Sequence, residues 1–155
     1  MKPSTMTVPS LQPMYGWVNR ILRVDLSDRS VRAHESAPYV PDFLGARGLA
    51  YKFAWDEYAQ PAGPFDPANP LMVVPGALTG SRAPYAGRTN VCAFSPQGYP
   101  HPWFTRSSIG GWFGGELKRA GYDALIVTGA AETPVRVRIR DDEVSIVSAD
   151  DLWGL

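Results

Sequence analysis

Short apolar segments between glycine- and proline-rich turns predict a strand-rich α+β fold. The chain has 155 residues, with 15 glycines and 15 prolines that follow no repeat period. This usage is typical of a protein with many tight turns rather than of a helical bundle. Most apolar segments have the length of a β-strand, about four to eight residues. Only two segments show helical spacing, so we expect one domain with few, short helices.

The N-terminal part predicts a hairpin followed by a helix. Extended segments at residues 19–26 and 31–35 flank a polar turn at residues 27–30, which is the pattern of a β-hairpin. Further along, leucine, phenylalanine and alanine recur at roughly helical intervals. That spacing predicts a helix over about residues 47–57.

The central part predicts two short strands and a second helix. Residues 60–70 are rich in proline and are expected to form a surface loop. Residues 71–74 and 90–94 are apolar and extended, which indicates buried strands. A second helix is expected over residues 112–120, with Gly121 ending it as a left-handed cap.

The C-terminal part predicts three more strands and the beginning of a helix. Residues 124–128 form an apolar run, and residues 134–140 alternate valine or isoleucine with arginine, as a half-exposed strand does. An acidic turn leads to a strand at residues 144–147. Ser148 followed by aspartates is typical of a helix N-cap. Because one turn of helix is unstable alone, we expect either that residues 149–155 dock on the fold or that a longer protein continues from here.

Composition excludes several classes of protein. The formal net charge is zero, which argues against a nucleic-acid binder. No apolar run approaches the length of a membrane span, and the polar N-terminus lacks the apolar core of a secretory signal, so we expect a disordered arm and a cytoplasmic protein. Cys92 is the one cysteine, so this chain alone cannot build a disulfide framework or a four-cysteine cluster site. His34 and His101 are too few for a zinc site.

Two glycine-rich loops between residues 75 and 111 predict a site for a large anion. Glycine lets backbone N–H groups approach a phosphate closely, and the second loop leads into a predicted helix start, which favours anions. Local charge agrees, because residues 71–121 contain one acidic side chain, Glu116, against five basic ones. The basic residues are Arg82, Arg88, Arg106, Lys118 and Arg119. We therefore interpret this region as holding an anionic cofactor.

Several motifs in this order resemble one known family. They lie at residues 14–16, 44–50, 76–80, 83–84, 87–91, 110–114, 116–118, 120–123 and 153–154. In this order and spacing the sequence resembles the N-terminal domain of the tungsten-containing aldehyde ferredoxin oxidoreductases. The resemblance covers nearly the whole chain after residue 13, so residues 1–13 are expected to be a disordered extension and residues 14–155 a metallopterin-binding domain.

The resemblance implies a fold, a cofactor and partners. It implies two β-sheets related by a pseudo-two-fold axis, with a few short helices. The implied cofactor is a bis-molybdopterin with tungsten or molybdenum, whose phosphates are bridged by magnesium. A four-iron four-sulfur cluster and the substrate pocket would come from partner domains. The complete enzyme would oxidise aldehydes to carboxylates and pass electrons through the cluster to ferredoxin.

The same resemblance assigns cofactor-binding residues. Arg88 matches the family arginine between pterin and cluster, and a guanidinium can donate two parallel hydrogen bonds to a pterin edge or phosphate. Gly87 and Asn90 flank it. Gly110 and Gly111 match paired glycines whose backbone would lie against the pterin. The structural alternatives are an arginine that closes a surface turn and glycines that only serve a tight turn.

Two further positions are less direct. Arg47, at the predicted helix start, is expected either to meet a phosphate or to be a solvated helix-end residue. Ser108 stands where the family usually has asparagine, near the magnesium and phosphates. A hydroxyl can ligate a hard cation but has neither the carbonyl nor the reach of an amide, which puts cofactor retention in question.

Two functions remain open. The first is the cofactor-binding part of an aldehyde ferredoxin oxidoreductase-type enzyme, not catalytically competent without the chain or domains that carry the cluster. The second is a standalone, non-catalytic pterin-binding or assembly module that has lost those domains, and that either stores or delivers a pterin or pairs with itself as a homo-oligomer. A third, structural interpretation is a β-rich domain whose glycines only form turns.

Overall fold

The computed structural model describes residues 5–7, 15–58, 63–98 and 100–155. The strands within these residues are β1 Thr5–Thr7, β2 Ile21–Asp25, β3 Val31–His34, β4 Leu71–Pro75, β5 Thr89–Ser95, β6 Trp103–Ile109, β7 Ala124–Thr128, β8 Val135–Arg140 and β9 Glu143–Ser148. The helices within them are α1 Val40–Phe43, α2 Arg47–Glu57 and α3 Phe113–Arg119.

The strands of the described chain form two sheets. The larger has six strands in the order β3-β2-β7-β4-β5-β6, and the smaller has three in the order β1-β9-β8. In the larger sheet only β2 and β7 run parallel; the other neighbours are antiparallel. β4, β5 and β6 follow one another along the chain and across the sheet. This meander places the start of β5 beside the end of β6.

Helix α2 covers one face of the large sheet. Leu49 and Phe53 of the helix are fully buried against Ile21, Met72 and Val74 of the strands. Their spacing of four residues places both on one side of the helix. Burial of each such side chain contributes roughly 1.5–3 kcal/mol to stability, so this contact fixes α2 and its N-terminal loop on the sheet.

Helix α3 and the small sheet cover the opposite face. Leu117 of α3 and Val144 and Ile146 of β9 pack in one core with Leu22 and Leu125 of the large sheet. The predicted cap at Gly121 is present: its φ is 92°, and its N–H donates to the carbonyl of Lys118. The next N–H, of Tyr122, donates to the carbonyl of Leu117, which completes a Schellman motif.

The predicted strand-rich α+β fold with two sheets and few short helices is confirmed. The helix expected over residues 47–57 is α2, and the hairpin expected at residues 19–35 is β2–β3, with antiparallel pairing. The strand expected at residues 124–128 has the same bounds in the structure. The pseudo-two-fold relation between the sheets stays a prediction.

Other elements differ from the expectation. No element was predicted over residues 103–109, which form β6: their backbone pairs with β5 along seven residues, although most of their side chains are exposed. Ser148 accepts a hydrogen bond from the N–H of Asp150, as an N-cap does, but residues 150–154 form turns and not a helix. α1 was also not predicted.

Parts of two predictions lie outside the described residues. Of the extension at residues 1–13, the structure describes only Thr5–Thr7, which pair with β9. Of the proline-rich loop at residues 60–70, it describes residues 63–70, in which Asn69 donates to the carbonyls of Pro64 and Phe94. These bonds tie the described part of the loop to the end of β5.

Candidate functional site

The register of β5 and β6 brings Arg88 and the paired glycines together. Thr89 pairs with Ile109, the last pair of the ladder at this end. Arg88 is the residue immediately before that pair and Gly110 the residue immediately after it, so the two leave the sheet at the same end. The two glycine-rich segments therefore form one site region, defined here as residues 87–88 and 110–111.

A buried threonine holds the Arg88 backbone in place. The hydroxyl of Thr79 lies 2.8 Å from the carbonyl oxygen of Ala86 and 3.1 Å from that of Arg88. The N–H of Gly76 donates to the same Arg88 carbonyl at 3.1 Å. Thr79 is 4% exposed, so these bonds are shielded from water. The loop at residues 76–80 thus fixes the backbone from which the Arg88 side chain extends.

The loop before α2 is bonded to the end of β4, next to the loop at residues 76–80. The N–H of Ala46 donates to the carbonyl of Pro75 at 3.1 Å. Leu44, Gly45 and Ala46 all have positive φ, at 56°, 145° and 47°. Positive φ is unfavourable for leucine and alanine, and strained backbone of this kind concentrates at functional sites. Arg47, exposed at the first position of α2, follows this strained loop. The sequence did not predict the positive φ of Leu44 and Ala46, because leucine and alanine rarely adopt a left-handed conformation.

Three other glycines are packing residues. A Cβ at Gly114 would overlap the hydroxyl oxygen of Thr89. Gly80 and Gly115 face each other: a Cβ at Gly80 would lie 3.3 Å from the Cα of Gly115, and one at Gly115 would lie 3.6 Å from the Cα of Gly80. These positions let α3 lie directly on β5 and on the loop at residues 76–80. The sequence did contain a signal, because two glycines inside a helix are unfavourable unless close packing requires them.

The glycines of the site region are different, because they face open space. A Cβ built at Gly87, Gly110 or Gly111 meets nothing within 4 Å. All three are exposed, and Gly111 has a φ of 90° that favours glycine. Close packing within the described chain therefore does not explain why glycine stands at positions 87 and 110. The backbone at both positions is accessible to a large ligand.

The positive charge is distributed differently from the prediction. Lys118 is buried and donates to Asp123 at 2.6 Å, and Arg119 pairs with Glu116 on the surface. Both residues lie in the last turn of α3, so Lys118, whose charge Asp123 compensates internally, adds no free positive charge to an anion site. Among the described residues no carboxylate forms an ion pair with four other arginines around the region. These are Arg47, Arg82, Arg88 and Arg106.

Asn90 and Ser108 lie together near the end of the β5–β6 hairpin. They are direct cross-strand partners, and the Ser108 hydroxyl donates to the Asn90 side-chain carbonyl at 3.2 Å. Arg106 donates to the Ser108 oxygen at 3.3 Å. Asn90 is 8% exposed and Ser108 is exposed. Ser108 therefore borders the site region, whereas Asn90 is buried and holds the Ser108 side chain by a hydrogen bond.

A separate cavity lies away from these loops. It measures about 460 Å³ and is lined by polar residues of β2, β3 and the end of α2, including Arg23, Arg32, His34 and Glu57. Arg23 forms a bidentate ion pair with Glu57 at 2.5 Å, and burial together with the charge of Arg23 lowers the pKa of His34. None of the predicted site residues lines this cavity. We place the candidate site at the loops, because the open glycines and the arginines without ion pairs are there and the charges in the cavity largely compensate one another.

Two features are absent from the described residues. No helix among them is both long and apolar enough to cross a bilayer. No group of three or more histidine, cysteine, aspartate or glutamate side chains within them is arranged to hold a metal ion.

Comparison with known proteins places the chain in a family. The profile described as "Aldehyde ferredoxin oxidoreductase, N-terminal domain" matches residues 21–155. The chain is 44% identical over 142 residues to the tungsten-containing aldehyde ferredoxin oxidoreductase of Thermococcus kodakarensis and 41% identical over 142 residues to that of Pyrococcus furiosus. Each match covers 91% of this chain and 23% of the relative, so the chain spans about a quarter of the length of these curated relatives.

More distant relatives share the fold. The chain is 34% identical over 147 residues to the aliphatic sulfonate oxidoreductase, WOR-like subunit, of Pyrococcus furiosus, covering 92% of this chain and 23% of the relative. Among solved structures it is similar to the active site complex BamBC of benzoyl coenzyme A reductase in complex with 1,5-dienoyl-CoA. That match has a TM-score of 0.82 and 33% identity, and covers 89% of this chain and 21% of the other.

Proposed function

This chain belongs to the aldehyde ferredoxin oxidoreductase family and corresponds to its N-terminal domain, and from that membership we propose that it is the metallopterin-binding part of a tungsten enzyme of this type. The group it binds is a bis-molybdopterin with tungsten or molybdenum, with magnesium between the pterin phosphates. Residues 14–155 form the binding domain, with residues 1–13 as an extension. A cytoplasmic location is part of the same proposal.

One observation carries the proposal: Arg88 and the Gly110–Gly111 pair leave the sheet side by side, and the glycine backbone there faces open space. A permanent positive charge next to accessible backbone is what a bulky anion requires. Arg47, Arg82 and Arg106 add positive charge around it that no described carboxylate compensates in an ion pair. The residues present therefore fit an anionic cofactor.

Each residue has a specific part in holding the group. Arg88 donates two parallel hydrogen bonds to a pterin edge or phosphate, while the backbone of Gly87, Gly110 and Gly111 gives the pterin room to approach. Ser108 offers a hydroxyl oxygen in place of an amide near the magnesium. When bound, the metal and its pterins supply the redox chemistry, and this chain contributes binding, orientation and electrostatic surroundings.

The rest of the enzyme lies beyond what this chain provides. Because the chain spans 23% of its curated relatives, we assign the iron–sulfur cluster and the substrate pocket to further domains or to a partner chain. In the complete enzyme an aldehyde is oxidised to a carboxylate and ferredoxin receives the electrons. The chain alone is therefore expected to be inactive with aldehydes.

The test is anaerobic co-purification of the chain with its partners from the native host, followed by elemental analysis and by pterin fluorescence after oxidation. A stoichiometric amount of tungsten or molybdenum, with pterin, is expected in the complex. A folded complex without metal and pterin would refute the proposal.

A second function is favoured by one contact. The Ser108 hydroxyl, at the position nearest the expected magnesium, is already engaged by Asn90 and Arg106. A standalone pterin-binding or assembly module has no active-site domains, so it would not need the Ser108 hydroxyl to be available to magnesium. In that case the chain purifies metal-free and as a homo-oligomer, which sedimentation together with elemental analysis distinguishes from the first function.

A further inference from the structure

Strand β8 has an unpaired edge within the described structure. In the small sheet β9 is its one neighbour, while β9 also pairs with β1. The outer side of β8 therefore presents backbone N–H and C=O groups without a strand partner. Edges of this kind accept an added strand unless charge or geometry prevents it.

The outward face of β8 carries a row of arginines. Arg136, Arg138 and Arg140 are exposed and lie two residues apart, which in a strand spaces them by about 6.6–6.8 Å. Four carboxylates lie near the row: Asp141 and Asp142 in the turn after Arg140, Glu143, the cross-strand partner of Arg140, and Asp151, which lies 3.8 Å from Arg136. Asp142 is paired with Arg20, and the side chains of the Arg136–Asp151 pair are 49% and 65% exposed, so that ion pair is weak. Among the described residues no carboxylate forms an ion pair with Arg138 or Arg140.

The inward face of β8 borders an unfilled and mostly apolar groove. Val137 and Ile139 line this groove of about 240 Å³, and the rest of its lining is Phe113, Glu116 and Leu117 of α3, Ala120 just after α3, and Leu125 of β7. Phe113 is 49% exposed, so one wall of the groove is an aromatic ring in contact with solvent. Apolar side chains that enter the groove from beside β8 would be removed from water between the strand and the helix.

We propose that the β8 edge binds an extended segment of a partner polypeptide whose side chains alternate between acidic and apolar. Backbone pairing with β8 fixes the segment as a fourth strand. Because side chains of a strand alternate between faces, its apolar residues enter the groove beside Val137 and Ile139 and its carboxylates face the arginine row. A second copy of this chain is not the occupant, because antiparallel pairing of two β8 strands sets the two arginine rows side by side. The inference is independent of the cofactor proposal, since β8 is separate from the site region.

The test uses the complete chain and fluorescently labelled eight-residue peptides. One peptide alternates glutamate with valine, and the matched control alternates lysine with valine. We expect the glutamate peptide to bind by fluorescence anisotropy, to weaken as salt is raised, and to slow amide hydrogen exchange in β8. Failure of the glutamate peptide to bind, equal binding of both peptides, or binding without protection of β8 would overturn the proposal.

Two variants make the test specific. Arg138→Glu reverses the central charge on an exposed position and should weaken the glutamate peptide at least tenfold, while the lysine peptide gains affinity. Lys52→Glu changes the charge equally on α2, on the other side of the large sheet, and should leave binding unchanged. Circular dichroism verifies that both variants fold. An unchanged affinity in Arg138→Glu, or a concentration-dependent dimer of the unmodified chain that the glutamate peptide does not dissociate, would contradict the assigned occupant.

Discussion

The carboxylate of Asp123 lies 2.6 Å from the ammonium group of Lys118, and both side chains are buried. Asp123 also accepts hydrogen bonds from the hydroxyl of Ser36 at 2.6 Å and from the N–H of Val18 at 3.1 Å. Lys118 donates in addition to the carbonyl of Gly16. This network joins α3, the segment before β2 and the segment after β3, and it determines how α3 is positioned relative to the site region.

Removing the lysine should destabilise the fold strongly. Lys118→Met leaves a buried carboxylate without its counter-charge, which costs about 3–5 kcal/mol of unfolding free energy. Urea denaturation followed by circular dichroism measures the loss. The control is Lys52→Met, which breaks the partly exposed Lys52–Asp56 pair on α2 and should cost less than about 1 kcal/mol. Equal losses of unfolding free energy in the two variants would show that the buried pair contributes no more to stability than the partly exposed one.

Substitution by alanine should lower the stability of the protein at Gly114 but not at Gly110. Gly114→Ala forces a methyl group onto the Thr89 hydroxyl and should destabilise the protein by about 1–3 kcal/mol. Gly110→Ala points into open space and should leave stability unchanged within about 0.5 kcal/mol. Thermal unfolding of both variants tests the assignment. Adding Thr89→Ala to Gly114→Ala should recover part of the loss, and its failure to do so would place the clash elsewhere.

Loss of the Arg88 guanidinium should lower cofactor content without affecting the fold. Arg88 is exposed, and no described carboxylate forms an ion pair with it, so Arg88→Ala should unfold at the temperature of the unmodified chain. The complex purified with the Arg88→Ala variant should have a metal-to-protein ratio several-fold lower than that of the unmodified complex. Arg119→Ala, which removes a surface arginine paired with Glu116 on the same helix as Gly114, serves as the control and should retain the metal.

Cys92 should make stability depend on alkaline pH. Burial raises the pKa of its thiol to about 11, from an ordinary value of 9.0. The folded state therefore keeps the proton longer than the unfolded state. Its contribution is fully present below pH 9.0 and is lost as pH rises towards the folded pKa, with a slope of at most about 1.4 kcal/mol per pH unit.

The comparison that isolates the thiol is Cys92→Ala. Other groups titrate in the same window, so the measured quantity is the difference in slope between the two proteins from pH 9 to 11. The unmodified chain should lose stability more steeply, and its thiol should react with a disulfide reagent only as the protein unfolds. Rapid labelling of the native protein at neutral pH would contradict the burial of Cys92.

Local signals in the sequence predicted elements whose formation depends on nearby residues. The helix at residues 47–57 and the cap at Gly121 are of this kind, since residues close to each of them in the sequence determine whether it forms. β6 was not predictable in this way, because its polar side chains have no buried-strand pattern and its pairing with β5 decides its conformation.

The site shows the same division. The glycine loops identified Arg88, Gly110 and Gly111, and the register then placed them side by side. The sequence did not show that Lys118 is neutralised by Asp123 or that Asn90 is a buried partner of Ser108, since both depend on contacts fixed by the tertiary fold. The positive φ at Ala46 was equally hidden, because alanine does not favour that conformation and the contact of Ala46 with Pro75 depends on the tertiary fold.

The position of β7 has a consequence for how the polypeptide acquires its structure during synthesis. β7 lies between β2 and β4, so the early hairpin β2–β3 and the later meander β4–β5–β6 are joined by backbone pairing only through it. In a nascent chain that has emerged only up to residue 123, the edges of β2 and β4 that pair with β7 lack that partner. We therefore expect the large sheet to close late in synthesis, once Ala124–Thr128 has emerged.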